Sequence, residues 1–206
     1  MSPLSARALS RRAALQHLAT LAAASIAAAC AAPPPAAPPP PLRAARFSPR
    51  LFTLEQALAV EELNALIIPE TDTPGALGAN VPSFIESIVA DVYEDDERQA
   101  FLAGLDALNE SARAAHAAPF AACTALQRGV LLERLIADAQ RQLAAEAQGP
   151  ETERPEPFFV TLHALTIEGF CRSKPGATRV LQYVAVPGDY EGSVPLEQVG
   201  RAWATS

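Results

Sequence analysis

The sequence predicts a mainly α protein: a single compact domain of about five helices with an irregular C-terminal tail, preceded by a signal segment and a Pro/Ala-rich linker. Three observations predict it. Leucine, isoleucine, valine and alanine recur at helical spacing, while only 6% of the residues are aromatic. Thr53-Leu54-Glu55-Gln56 and Thr124-Ala125-Leu126-Gln127 both read as capping boxes that open helices. Prolines and glycines punctuate the periodic stretches and mark where each must stop. With 206 residues, the chain is long enough for one real core.

Residues 1–30 read as an address rather than as structure. A basic opening leads into a small-residue apolar run without any acid, the layout of an export signal and too short for a stop-transfer helix. Ser10-Arg11-Arg12-Ala13-Ala14-Leu15 has the paired arginines, Arg11 and Arg12, of a twin-arginine signal, the route for proteins already folded. Ala27-Ala28-Ala29-Cys30 has the form of a lipoprotein processing box, which would put a lipid on Cys30. The alternative is simple cleavage near this run and a free product. Residues 31–50 are expected to be a linker, because a proline-rich, weakly polar stretch cannot bury enough surface to fold. The expected location is the periplasm, attached to the membrane through the N-terminal lipid.

Residues 51–206 should hold the domain. Helix one opens at Thr53, with Leu54, Leu58, Leu63, Leu66 and Ile67 expected on its buried side. Pro69 lacks an N–H and clashes with a preceding helical turn, so this helix should end at or before Ile68. In the turn that follows, Asp72 is expected to cap its own backbone two residues on. Thr73, Pro74 and Gly75 should supply one fixed and one permissive φ.

A second helix opens at Val81-Pro82-Ser83 and carries Ile85, Ile88, Val89 and Val92. Glu94-Asp95-Asp96-Glu97 suggests either a metal site or a helix start. Neighbouring carboxylates do not share a face, and acids favour a helix N-terminus, so the second reading is adopted. The third helix presents Phe101, Leu105, Leu108 and Ala112 and breaks at Ala118-Pro119. A long helix after Thr124 shows a stripe of Leu132, Leu135, Ile136, Ala139 and Leu143. A polar loop over 148–157 leads to an aromatic-rich helix from Phe158 to about Gly169 or Ser173. Beyond Pro175, residues 180–186 suggest a short strand, and Trp203 should dock on this domain or on a partner.

Charge narrows the function. All 23 acids lie from Glu55 onward, with 10 of the 16 basic residues, so this part carries 10 − 23 = −13. Such a surface repels nucleic acid and anionic lipid alike. No dinucleotide-binding glycine pattern, phosphate-cradling loop, nucleophile elbow or haem-attachment motif occurs in the sequence. His116 and His163 are the only histidines outside the leader; either could serve as an acid/base, but a lone histidine on a helix is more often a cap or a core-edge residue. Cys123 and Cys171 either bridge or stand as separate thiols.

Several stretches, in order, carry a resemblance. They are Leu54 through Ala76, with Leu66-Ile67-Ile68-Pro69-Glu70-Thr71-Asp72-Thr73-Pro74-Gly75-Ala76 at its end, Val81-Pro82-x-Phe84-Ile85, and Phe158-Phe159 through Gly169-Phe170. Gly176 to Tyr183, Pro187-Gly188 and the closing Gly200-x-x-Trp203 follow. Together they resemble the small (gamma, or subunit 3) chain of membrane-bound gluconate 2-dehydrogenase and related periplasmic sugar or alcohol dehydrogenases.

The resemblance implies a non-catalytic accessory subunit with no cofactor of its own. FAD is then expected in a large dehydrogenase partner subunit and haem c in a cytochrome c partner. The small chain would hold the flavoprotein and escort it through twin-arginine export. Pro69, Asp72, Thr73, Pro74, Gly75, Phe170, Gly176, Tyr183, Pro187, Gly188 and Trp203 are then shape-holding or partner-facing positions. The alternative is a free-standing envelope lipoprotein that binds a ligand or serves as a scaffold.

Overall fold

The computed structural model describes residues 41–146, 156–186, 188 and 193–204, and these belong to one compact unit. The polypeptide is mainly helical, with no strand among the described residues. The leader positions Arg11, Arg12 and Cys30, residues 147–155 (most of the stretch expected to be a polar loop over 148–157) and Pro187 lie outside the described residues.

Helix α1 (Leu54–Ile67) is the central element. Thr53 accepts a hydrogen bond from the Gln56 N–H, and the Gln56 side chain accepts from the Thr53 N–H, completing the expected capping box. Every residue from Gln56 to Val60 is buried, as are Glu61, Leu63 and Asn64. A helix enclosed on nearly all sides needs no single apolar stripe. That explains why Leu54 and Leu66, expected inside, are 45% and 37% exposed: the neighbours of α1 cover its middle rather than its ends. The helix stops at Ile67, one residue before the limit set by Pro69.

Helix α2 (Val81–Asp91) begins with Pro82 in its first turn, and α3 (Asp95–His116) begins with a reciprocal cap between Glu94 and Glu97. The acidic run is thus a helix start, as charge near the positive end of the helix favours. Arg98 donates to the carbonyls of Val89 and Tyr93, closing the C-terminus of α2 with charge-assisted bonds of 3.1 and 2.7 Å. Phe101, Leu105, Leu108 and Ala112 are all buried. Helix α3 ends on Ala117 in the left-handed region, at φ 55°.

A 3-10 turn (Phe120–Ala122) then tucks the fully buried Phe120 ring under α1. Helix α4 (Ala125–Glu146) follows, with the Thr124/Gln127 capping box in place. Leu131 and Ala139 are its buried apolar residues, and Leu143, placed on the stripe by spacing, is exposed near its far end.

Helix α5 (Phe158–Arg172) packs across α1, α2, α3 and α4. A Cβ on Gly104 would come within 2.3 Å of the Phe158 ring, and one on Gly169 within 2.5 Å of the Phe84 ring. Glycine at these two positions lets large rings cross helix surfaces. Phe101 joins the layers, stacked on Phe52 at 6.1 Å and edge-on to Phe158 at 5.2 Å.

The strand expected over 180–186 is not formed. Ser173 Oγ accepts from the Gly176 N–H, Pro175 keeps helical angles, and the chain winds a π-turn (Gly176–Val180) closed by Leu181 N–H to Gly176 O. Among the described residues, only Gln182 then pairs in β fashion, through a single parallel bridge to Trp203. Helix α6 (Leu196–Val199) is one turn long.

Candidate partner-docking surface

The turn between α1 and α2 is built differently from its sequence expectation. Asp72 does not cap the residue two positions on, because that residue is Pro74 and has no N–H to donate. The Asp72 carboxylate accepts instead from the Thr71 hydroxyl at 3.0 Å. The Thr71 N–H donates to Thr73 O at 3.0 Å, and Ala76 N–H donates back to Ile68 O at 2.9 Å, closing the turn on itself.

Gly75 does not adopt a positive φ. It is glycine because a Cβ there would lie 2.6 Å from Glu70 N and 2.7 Å from Ile68 O, inside the backbone of the same turn. Pro69 and Asp72 face solvent, Thr73 and Pro74 are half-buried, and Gly75 is buried.

At the other end of the chain, Phe170 is buried in the core and Gly176 lies beneath it. A Cβ on Gly176 would come within 1.9 Å of Phe170 O. Both positions are therefore buried in the packing of the domain. Gly188 is exposed, and no atom would crowd a Cβ there.

Tyr183 and Trp203 behave differently. Gln182 N–H donates to Ala202 O at 2.8 Å, and Ala204 N–H donates to Gln182 O at 2.9 Å, so the two segments pair through backbone, and the Arg201 side chain adds a bond to Arg179 O at 2.6 Å. Both side chains are exposed, Tyr183 at 55% and Trp203 at 51%, as are Val184, Val186 and Val194. The domain therefore does not cover the tryptophan. Among the described residues, no hydrogen bond links the 69–75 turn to this tail.

The acid/base and metal candidates are scattered. His116 is half-buried at the last turn of α3, and the exposed His163 leans on Phe159 at 5.7 Å. Among the described residues, no three His, Cys, Asp or Glu side chains group closely enough to hold a metal ion. Cys123 and Cys171 are separate free thiols. Burial raises the Cys123 thiol above its usual value, partly offset by Arg128. No described helix is long and apolar enough to cross a membrane.

Sequence reasoning missed two buried acids, Glu61 on α1 and Glu86 on α2. Glu86 Oε1 accepts from three consecutive N–H groups, those of Arg50, Leu51 and Phe52, at 2.9, 3.0 and 3.0 Å. Glu61 accepts from the Arg46 N–H and pairs with Arg43. The signal was present: each acid stands at a core-facing register position of an apolar helix, which is costly unless partners wait there. Residues 43–50, expected in the linker, are thus held on the domain.

The described residues form a helical domain whose titratable groups are dispersed and whose C-terminal segment leaves Tyr183 and Trp203 exposed. The family model described as gluconate 2-dehydrogenase subunit 3 matches residues 54–188, and the chain belongs to that family. Comparison with curated proteins gave no match, and comparison with solved structures gave none.

Proposed function

We propose that this chain is the non-catalytic accessory subunit of an FAD-dependent, gluconate 2-dehydrogenase-like complex and that it holds the flavoprotein through its C-terminal tail. Family membership supports a place in such a complex. The single observation that carries the docking role is Trp203, half exposed while its backbone pairs with Gln182, next in the chain to the exposed Tyr183, Val184 and Val186. Large aromatic side chains left wet on a monomer are the usual anchors of an interface. The surface turn at Pro69–Pro74, locked from within by Gly75, is a second rigid feature suited to a partner.

The leader extends this reading. Arg11 and Arg12 would take the chain, with its flavoprotein bound and folded, into the periplasm. A lipid on Cys30 would keep the complex at the membrane beside a cytochrome c subunit carrying haem c. FAD and haem belong to those partners in this reading, because the sequence has no motif for either.

Affinity capture of the tagged chain from envelope fractions tests the first part. A flavin-yellow partner is expected with the wild type and much less of it with Trp203→Ala. A colourless eluate would favour a free-standing lipoprotein. For export, Arg11→Lys with Arg12→Lys should strand the flavoprotein in the cytoplasm, and a periplasmic flavoprotein in that strain removes the escort role. Fatty-acid labelling that is lost in Cys30→Ala would establish the anchor, and equal labelling of both would remove it.

A further inference from the structure

Residues 43–52 precede the family-matched region, which starts at Leu54, yet they are fastened to the domain at several points. The Arg43 guanidinium spans Glu61 and Glu62 on α1, and Glu62 is shared with Arg128 on α4. Further along, Arg46 gives its N–H to Glu61. Arg50, Leu51 and Phe52 all give theirs to one oxygen of Glu86 on α2, and the Arg50 side chain pairs with Asp91 at the end of that helix. The Phe52 ring is 5% exposed and stacks on Phe101 of α3.

Glu61 is fully buried and Glu86 nearly so. A buried carboxylate is tolerated only when its acceptors are occupied, and here the occupants come from this segment. The two acids sit on different helices, and neither holds the whole segment alone.

We infer that residues 43–52 form a latch that closes only on an assembled α1–α2 pair, with Glu61 and Glu86 as its two receptors. The latch converts helix packing into a local state at the N-terminal end of the domain. In a bundle whose α1 and α2 have not met, Arg43 and Arg46 can reach Glu61 on α1, but Arg50 to Phe52 have no Glu86 to donate to, and the segment is not held as a whole. In the packed bundle the segment is part of the fold. The stretch between the linker and the domain therefore differs between folded and unfolded chains, whatever route the leader serves.

Native-state hydrogen exchange on the purified full-length chain tests this. The Arg50, Leu51 and Phe52 amides should exchange as slowly as the core amides of Leu63 and Leu105, because all would open in one event. In Glu86→Ala those three amides should speed up roughly a hundredfold or more while Leu63 and Leu105 keep their protection. Glu86→Gln, which retains an acceptor oxygen, should restore most of the protection. Rapid exchange at Arg50–Phe52 in the wild type overturns the latch, and so does equal exchange in wild type and Glu86→Ala. If Glu86→Ala does not fold, the wild-type and Glu86→Gln profiles still decide the matter. The readout involves no flavoprotein and no export, so its failure would leave the docking proposal standing.

Discussion

Gly75 lies so close to Ile68 that a Cβ built on the glycine would sit 2.7 Å from the Ile68 carbonyl oxygen. The same carbonyl accepts the Ala76 N–H at 2.9 Å, so the end of α1 and the start of the next segment are fastened across one residue without a side chain. The rigidity of the turn comes from this contact. Gly75→Ala should force backbone apart and destabilise the domain by about 1–3 kcal/mol, the usual range for overpacking. Urea unfolding followed by circular dichroism measures it, and an unchanged midpoint would mean the turn can open freely.

Trp203 is the only tryptophan in the chain and is 51% exposed. Its emission should be that of a wet indole in the isolated subunit and should shift to the blue when the flavoprotein binds. Trp203→Ala should change stability by no more than about 0.5 kcal/mol, as for most surface substitutions, while weakening capture of the partner. Emission that does not move on complex formation would take the tryptophan out of the interface.

Ala117 closes α3 in the left-handed region at φ 55°, with its N–H bonded to Arg113 O at 2.8 Å. A side chain in this conformation is strained, and glycine is the residue that helices commonly use at that position. Ala117→Gly should therefore stabilise the protein, by about 0.5–1 kcal/mol. Thermal unfolding reads the sign directly. A lower midpoint would show that unfolded-state entropy outweighs the strain relieved.

The Asp91 carboxyl is held below the usual carboxylate range, first by its hydrogen bond from Arg50, with a smaller opposing effect of desolvation. Because the folded-state value is depressed, the unfolded chain binds the proton more readily. The pair therefore contributes stability above the unfolded-state value and loses it as pH falls through the folded-state value. Both side chains are more than half exposed, so the contribution is small and weakened by salt. Asp91→Asn should flatten the acid limb of the urea midpoint plotted against pH. Identical acid limbs for the two proteins would remove the pair from the account.

The helix ends were legible in the sequence because their causes are local. Thr53 with Gln56, Glu94 with Glu97 and Thr124 with Gln127 each cap a helix through groups three residues apart, and Pro69 halts α1 by its own covalent structure. The apolar face of α3 was legible for the same reason, since Phe101, Leu105, Leu108 and Ala112 need only the helical repeat to align. The motifs carrying the family likeness were likewise contiguous in the chain.

The partners of the other groups come from far along the chain or from a fold not yet formed, and only the tertiary structure decided their roles. The three amide donors to Glu86 lie 34 to 36 residues before it, so nothing near Glu86 in the sequence says why an acid is buried there. Gly75 reads as a turn glycine until the returning backbone is in place and shows that close approach, not φ, is the constraint. Residues 180–186 have the β-branched composition of a strand, but pairing needs a neighbouring edge, and among the described residues the fold supplies one only at Gln182. Short-range hydrogen bonding and side-chain sterics are written into adjacent residues. Burial and backbone proximity exist only after the helices have packed.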